Sequence, residues 1–219
     1  MTVKQFFKSK SFKCIVALLS ILLVCGVFLT IMYGFLEVSN GEKLQRSIAK
    51  VYSGIDVKVY GLDNGKEIEI DSSVSDPKSF VSETVHVEKA EISEMYKIVF
   101  TSEGREYTHY LVTSKGLEGY DNGSVTCSVA ISVENGSISG IYKVSIQSNV
   151  GQSFISRVGE NALGEFSTLY QSGTTSFSQE MITGATTQRT KNAICNAVNG
   201  ALTYVRDYLG ELVQQGGNA

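Results

Sequence analysis

VTCSVAISVENGSISGIYKVSI, residues 125–146, is the stretch that decides the fold. Apolar residues alternate with polar or small ones before an Asn-Gly pair at 135–136 and recur after it: Val125, Cys127, Val129, Ile131, Val133, Ile138, Ile141, Val144 and Ile146. Asn-Gly between two such runs is the strongest short-range signal of a β-hairpin, because both turn residues can adopt positive φ. The register buries Cys127, which predicts a core thiol rather than a reactive one.

Two further hairpins are predicted upstream of this one. The first pairs residues 57–59 with 68–70 across a turn at 63–66, and the second pairs 95–101 with 107–113 across 102–105. A Ser- and Asp-rich connection at 71–80 contains the single proline. The strands predict an antiparallel sheet.

Helical spacing of apolar residues appears on both sides of the hairpins. A capping-box pattern at 39–42 precedes a helix of about four turns, and weaker periodicity follows at 154–158 and 163–170. The last helix begins near Gln188 and is predicted to end at Gly210; its apolar face comprises Ile194, Val198, Leu202, Val205 and Leu209. Strands and helices in this order predict the α+β class.

Composition excludes several classes of protein. The 219 residues carry 19 basic and 22 acidic side chains, a balance that argues against a nucleic-acid-binding protein. Four cysteines without a close pair exclude a disulfide-stapled mini-protein, a zinc ribbon and a cysteine-ligated iron–sulfur cluster. Only two histidines are present, and they are far apart. No metal site is predicted.

The first 36 residues are distinct from the rest. They contain four lysines and no acid, and residues 14–36 carry no charge at all. A helix of that length would cross the roughly 30 Å hydrocarbon core of a bilayer. The lysines predict that the N-terminus is cytoplasmic. Together, the run and the lysines predict a single-pass protein of the cell membrane, in contact with lipid, whose remaining domain is extracytoplasmic. A cleaved signal peptide is the alternative, but residues 35–38 lack a small-x-small cleavage site.

A loop of small residues, Thr183-Gly184-Ala185-Thr186-Thr187, precedes the last helix. Unpaired backbone amides and the positive end of the helix dipole favour a phosphate at such a position. The cations at 189 and 191 in the first turn fit a bound anion, although ordinary solvation also explains them. From the loop alone a structural helix cap is the favoured interpretation, because small-residue caps are common.

The stretch EMITGAT, residues 180–186, resembles the flavinylation motif of the FMN-binding domain family, Asp-x-x-Ser/Thr-Gly-Ala-Thr. This family includes the G subunit of the Rnf electron-transport complex and the C subunit of the sodium-translocating NADH:quinone reductase. The resemblance extends to residues 110–120, to the hairpin 125–146 and to the helix residues 192–202. Two departures stand out: Glu180 replaces the Asp, and residues 148–153 lack the family's Glu-Thr-Pro-Gly-Leu-Gly loop.

The resemblance implies a cofactor and its attachment point. Thr186 matches the threonine that is esterified to the phosphate of FMN, and Thr183 matches the Ser/Thr position. Gly184 and Ala185 match the small residues, with Glu180 before them; Thr187, next to the attachment point, completes the predicted cofactor-binding set. A separate magnesium-dependent flavin transferase would supply the FMN group from FAD. The chain itself is assigned no catalytic residue.

By resemblance, the chain is an electron-carrying subunit of an Rnf-like, ion-translocating ferredoxin:NAD oxidoreductase and works with the complex's other membrane subunits. It would be a redox subunit rather than an enzyme by itself. The alternatives are a stand-alone membrane-anchored flavoprotein for extracytoplasmic electron transfer and a non-redox anchored interaction module. Tyr120 and Phe154 are candidates for stacking on a flavin, although packing in the core or at an edge is the favoured interpretation of each. His109 is a candidate for donating to a reduced flavin, although a surface histidine, or one whose hydrogen bonds are satisfied, is favoured there.

The segments predicted along the chain are therefore five. They comprise a basic cytoplasmic N-terminus (1–13), a transmembrane helix (14–36), a membrane-proximal helix with the first hairpins (37–110), an FMN-binding domain (111–210) and a polar tail (211–219).

Overall fold

The computed structural model describes residues 10–36, 39–71, 74–184 and 187–216, without side-chain detail at 10–13, 31, 33–36, 215 and 216. The chain divides into two compact units, Met1–Ser39 and Asn40–Ala219. In the first unit, the described residues 10–36 form the helix α1 (Lys10–Leu36). The predicted boundary between residues 110 and 111 falls inside a strand of the second unit.

The prediction of a membrane anchor at 14–36 is wrong. Among the described residues, no helix combines the length with the apolar character that a bilayer crossing requires. The single-pass location in the cell membrane, with an extracytoplasmic domain, rested on that anchor and is corrected with it.

The second unit is built on one antiparallel sheet, which confirms the α+β class. Within the described residues its seven strands are β1 (Lys58–Asp63), β2 (Lys66–Ile70), β3 (Val85–Val87), β4 (Ala90–Ser102), β5 (Arg105–Gly116), β6 (Ser124–Glu134) and β7 (Ser137–Val150). Their order is β2-β1-β4-β5-β6-β7, with β3 paired to the end of β4.

All three predicted hairpins are confirmed, with longer strands than the periodicity indicated. The central turn has positive φ at Asn135 and Gly136, as the Asn-Gly signal requires. Strand β3 was not predicted, because three residues are too few to show a period.

In the part of the chain that the structure describes, three α-helices accompany the sheet: α2 (Asn40–Val51), α3 (Glu160–Gln171) and α4 (Gln188–Gly216). Each matches a predicted helix, but α4 continues past Gly210, where the prediction ended it. The helical periodicity at 154–158 yields only a short 3₁₀ turn, Ile155–Arg157.

The sheet separates two apolar cores. Alternate residues of β5 face opposite sides, so Tyr110 and Val112 pack with α3 and α4, whereas Leu111 packs with α2. Cys127 lies fully buried on the α4 side, as predicted. A β-carbon at Gly116 would lie 1.8 Å from the carbonyl oxygen of Ala193, so glycine lets α4 cross the end of β5 in backbone contact. The first turns of α4 therefore lie directly against the end of β5.

Candidate functional site

The loop before α4 is described on both sides of its centre. Thr183, Gly184 and Thr187 have defined positions, whereas Ala185 and Thr186, the predicted attachment point, lie outside the described residues. Upstream, a 3₁₀ turn at Gln179–Met181 leads into the buried side chain of Ile182. Glu180 lies on that turn and is exposed.

The upstream end of the loop is held by α3. The backbone N–H of Thr183 donates to Glu165 Oε2 at 2.7 Å, and the Thr183 hydroxyl donates to Oε1 of the same carboxylate. Gly184 follows with φ of +125°, a conformation that side-chain-bearing residues rarely adopt. The glycine predicted for close ligand approach is therefore also required by the backbone.

The downstream end of the loop is the N-cap of α4. Thr187 Oγ1 accepts a bond from the backbone N–H of Thr190 at 3.2 Å, and the N–H of Lys191 bonds to the Thr187 carbonyl oxygen at 3.1 Å. This is the usual pattern for a capping threonine, whose side chain satisfies the third amide of the helix. The cap interpretation is thus confirmed for Thr187.

A buried glutamine ties this cap to two other segments. Gln152 is 3% exposed, and its Oε1 accepts the Thr190 hydroxyl at 2.7 Å and the N–H of Tyr120 at 3.1 Å. Its Nε2 donates to the carbonyl oxygens of Tyr120 (3.0 Å) and Val150 (2.9 Å). Both amide protons and the carbonyl oxygen are in use, so one side chain joins the end of β7, the loop after β5 and the start of α4.

Sequence reasoning identified this segment as a departure from the family pattern but did not identify Gln152 as structural. A buried polar residue in a loop has no periodicity to reveal it. The only signal nearby is the glycine pair at 119 and 123: a β-carbon at Gly123 would lie 2.0 Å from the Val150 carbonyl oxygen and 2.4 Å from Gln152 Nε2. Such close approach excludes any larger residue there.

The two aromatic residues predicted to stack on a flavin lie at this end of the sheet. The backbone of Tyr120 bonds to the side chain of Gln152, and Phe154 lies two residues after Gln152. The side chains of Tyr120 and Phe154 are both exposed. The guanidinium of Arg157 lies 4.6 Å from the centre of the Phe154 ring. The structure therefore places both aromatic side chains on elements that are fastened to the start of α4.

Further contacts hold α4 against the end of β5. Asn196 donates to the carbonyl oxygen of Leu117 at 2.9 Å, and Asn192 to that of Glu118 at 3.4 Å. Together with Gly116 they fix the first two turns of the helix. These contacts hold the start of α4, and with it the capping residue Thr187, against the end of β5.

The described surroundings of the loop contain free backbone amides, cationic side chains and an open groove. The amides of Gln188 and Arg189 precede the first i to i−4 bond of α4, so helix geometry leaves them without intrahelical partners. Arg189 is exposed and Lys191 is half-buried in the same turn. An open groove of about 550 Å³, lined by α3 together with Met181 and Thr183, lies beside the upstream end, and such volumes accommodate small-molecule ligands.

The remaining candidate residues lie elsewhere or are inert. His109 lies in the first half of β5, on the α2 side of the sheet and away from α4. Burial raises the pKa of the Cys127 thiol and that of the Cys195 thiol to about 12 each, which keeps both protonated. Among the described residues, no group of three or more metal-ligating side chains is placed to bind an ion.

Comparison of this chain with models of protein families, with curated proteins and with solved structures gives no match. The similarity to the FMN-binding domain family therefore rests on the residues quoted above, and the cofactor it implies remains a prediction.

Proposed function

We propose that this chain carries FMN, joined by a phosphoester to the hydroxyl of Thr186, and passes electrons as a subunit of a redox complex that resembles Rnf. The observation that carries the proposal is the position of the EMITGAT motif directly before α4. The motif's upstream end is bonded to Glu165, and Thr187 caps the helix that follows. A phosphate at Thr186 would then lie in the field of a helix N-terminus.

The described residues have distinct parts in holding the group. The first amides of α4 and the side chains of Arg189 and Lys191 favour the phosphate, and Gly184 lets it approach the backbone. Tyr120 and Phe154 offer exposed rings at the same end of the sheet. When bound, the flavin supplies one- and two-electron transfer, and the protein sets its orientation and surroundings.

Partner proteins would supply the remaining chemistry. The sequence contains neither a dinucleotide-binding glycine fingerprint nor closely spaced cysteines for an iron–sulfur cluster. Transfer between reduced ferredoxin and NAD, with the coupled ion movement, would therefore belong to other subunits. A magnesium-dependent flavin transferase that uses FAD would attach the FMN, since the threonine hydroxyl is only the acceptor.

Flavin attachment is directly measurable. The full chain, co-expressed with a flavin transferase, should give a fluorescent band in a denaturing gel, and Thr186→Val should give none. Thr187→Ser is the matched control, because it retains the capping oxygen and the hydroxyl next to the attachment point, and it should stay fluorescent. Equal fluorescence in the Thr186→Val protein would remove Thr186 from the proposal.

A stand-alone flavoprotein is the second candidate, and one observation favours it. The segment 148–153, where the family has its Glu-Thr-Pro-Gly-Leu-Gly loop, here comprises the end of β7 and the residues after it, with the buried bonds of Gln152. If that family loop serves to dock a partner, this chain lacks it. Purification of the tagged chain from its native cells would separate the cases: other redox subunits co-purify in the first and not in the second.

A non-redox interaction module is the third candidate. It is supported by the ordinary cap that Thr187 forms on α4. Intact mass spectrometry of native protein decides it, because a mass equal to that of the bare polypeptide excludes the covalent flavin.

A further inference from the structure

A second cavity, of about 700 Å³, opens on the α2 side of the sheet. Its lining includes Phe100, Tyr107, His109, Ser132 and Tyr142, from four adjacent strands. The volume lies in the range of small-molecule sites. Nothing in the proposed flavin function uses it.

This cavity and the loop before α4 lie at opposite ends of β5. His109 is seven positions from Gly116, where α4 crosses, and seven residues of an extended strand cover about 23 Å. The two sites also face opposite sides of the sheet, since His109 packs with Tyr52, the residue after α2, and Gly116 with α4. The cavity is therefore distinct from the loop, although Ser167 and Gln171 of α3 also line it.

Three aromatic side chains that line the cavity, Phe100, Tyr107 and Tyr142, belong to two stacked pairs, and Tyr52 supports Tyr142 from behind. Tyr142 stacks on Tyr52 with centroids 5.5 Å apart and planes at 10°, and Tyr107 stacks on Phe100 at 5.4 Å and 17°. The His109 ring lies between the pairs, 4.7 Å from Tyr142 and 4.9 Å from Phe100. Tyr107 and Tyr142 are the exposed members. Their rings offer flat apolar surfaces to a flat ligand.

A chain of hydrogen bonds at the base of the cavity ends on a serine. His109 Nδ1 lies 3.1 Å from the hydroxyl of Tyr52, and Nε2 lies 3.1 Å from the hydroxyl of Ser132. His109 and Tyr52 are each 2% exposed. Because burial lowers the pKa of His109 to about 4, its ring is neutral at pH 7 and has one donor nitrogen and one acceptor nitrogen.

The buried tyrosine decides which nitrogen carries the proton. Were Nδ1 the donor, the Tyr52 proton would need another acceptor in a dry environment, which is costly. With Tyr52 donating to Nδ1, Nε2–H donates to Ser132 Oγ, and every polar atom of the chain is satisfied. The Ser132 proton is then available to a ligand in the cavity.

The charged residues of the cavity lie only at its rim. Arg105, Glu106 and Glu134 line it and are exposed, so water screens them. Its lining offers aromatic faces and several hydroxyl groups, of which that of Ser132 is the one bonded to the neutral ring of His109. A charged ligand would lack a buried counter-charge there, whereas an uncharged flat ligand with an acceptor oxygen matches each of these groups.

We propose that this cavity binds a flat aromatic compound with a ring carbonyl, the class that includes p-quinones. Its ring contacts Tyr107 and Tyr142, and its carbonyl oxygen accepts a hydrogen bond from Ser132. His109 is a positioning residue, because it orients Ser132 through Nε2 and does not donate to the ligand itself.

The probe is 2,3-dimethyl-1,4-naphthoquinone, whose methyl groups block addition of thiols. Its comparison compound is 2,3-dimethylnaphthalene, which has the same ring shape and no carbonyl. Equilibrium dialysis with the full chain should show the quinone binding about tenfold more tightly than the hydrocarbon, because one well-placed hydrogen bond increases affinity by about that factor. Absence of quinone binding, or equal affinity for the two compounds, overturns the proposal.

Two variants test the two kinds of contact separately. Ser132→Ala should abolish the preference for the quinone and leave the affinity for the hydrocarbon unchanged, whereas Tyr142→Leu should weaken the binding of both compounds. Ser128→Ala is the matched control: Ser128 is a serine of the same strand and face, bonded to Ser47 instead of lining the cavity. Its preference should equal that of the unaltered protein. If Ser132→Ala retains the full preference, or Ser128→Ala loses it equally, Ser132 is not the donor.

Discussion

Gln152 and His109 are two buried polar residues at opposite ends of the sheet. Each is almost inaccessible to water, and each joins parts of the chain that lie far apart in sequence. Gln152 bonds mostly to backbone atoms, whereas both ring nitrogens of His109 meet side-chain hydroxyls. They therefore solve the same problem, satisfying a buried polar group, with different consequences.

The two sets of hydrogen bonds differ in whether a donor remains for a ligand. The bonds of Gln152 form a closed set, because its two amide protons and its oxygen are all taken by protein atoms. The bonds of His109 lead to Ser132, which borders a cavity and keeps a proton of its own. A side chain whose donors and acceptor are all used by protein atoms holds the backbone in place. A chain of hydrogen bonds that ends on a serine with a proton to donate can also bind a ligand. The end with Gln152 presents the predicted flavin loop, and the end with His109 offers a ligand cavity.

Removing Gln152 should have the largest effect on stability. Gln152→Ala removes four hydrogen bonds at once, those to the N–H and the carbonyl of Tyr120, to the carbonyl of Val150 and to the hydroxyl of Thr190. The Tyr120 carbonyl keeps its bond from Gly123 and the Thr190 hydroxyl keeps its bond to Thr187. Because each lost bond contributes about 1 kcal/mol, we expect a loss of about 3–4 kcal/mol in the free energy of unfolding. Urea unfolding monitored by circular dichroism measures it. Covalent flavin loading should fall as well, because the cap of α4 loses its support.

Gln147→Ala is the control for this substitution. Gln147 lies on β7, five positions earlier, and is only partly buried; it bonds to Ser145 at 3.4 Å. We expect a change within about 0.5 kcal/mol. Similar losses in the two variants would contradict the fastening role of Gln152.

The titration of His109 should have the next largest effect. Its pKa of about 4 in the folded protein lies below the 6.5 of an exposed histidine because burial disfavours the charged ring. Between these values the unfolded chain binds the proton and the folded chain does not, so stability falls as the pH is lowered from 6.5 to 4. The loss attributable to this group approaches about 3 kcal/mol.

Comparison of two histidine variants isolates that contribution. His109→Gln cannot titrate, so its stability should decline less steeply between pH 6.5 and 4 than that of the unaltered protein. His86→Gln is the matched control, because the His86 side chain is 73% exposed and its pH profile should be unchanged. Parallel profiles for all three proteins would show that His109 is protonated as easily in the folded state as in the unfolded chain.

Local patterns predicted the sheet well because a hairpin is specified by adjacent residues. Alternation along 125–146 and the Asn-Gly turn contain the whole register of β6 and β7 in one continuous stretch. The same holds for the turns at 63–66 and 102–105. In the first unit, the absence of charge at 14–36 predicted a helix, which is present at Lys10–Leu36, and a membrane crossing, which is wrong.

The sites depend on contacts that no local pattern contains. Tyr52 and His109 are separated by 57 positions, and Gln152 and Thr190 by 38. Each pair meets only after the sheet and α4 have assembled. For the loop, the sequence located Thr183, Gly184 and Thr187 correctly before a helix, but the bond between Thr183 and Glu165 depends on the packing of α3.

A smaller effect is expected at the cap of α4. Thr187→Ala removes the oxygen that accepts the N–H of Thr190, and loss of such a cap costs about 1 kcal/mol. Thr187→Ser retains the oxygen and should restore most of the stability, as measured by urea unfolding. If serine and alanine are equally destabilising, the methyl group of Thr187 rather than its hydroxyl stabilises the helix start.

The smallest effect is expected at the upstream end of the loop. Glu165 is part of the exposed face of α3, so Glu165→Gln, which removes one of two acceptor oxygens, should change the stability by about 0.5 kcal/mol. The rate of flavin loading should change by less than about threefold, which corresponds to a similar free energy.

Loading rates followed by in-gel fluorescence separate two roles for this carboxylate. If Glu165 only holds Thr183 in place, Glu165→Ala, which removes both acceptor oxygens, should slow loading more than Glu165→Gln does. If the glutamine variant alone abolishes loading while the protein stays folded, the negative charge itself takes part in attachment. Glu165 would then both orient Thr183 and act in the transfer of FMN. The upstream end of the loop would in that case contribute to the reaction and not only to the position of the motif.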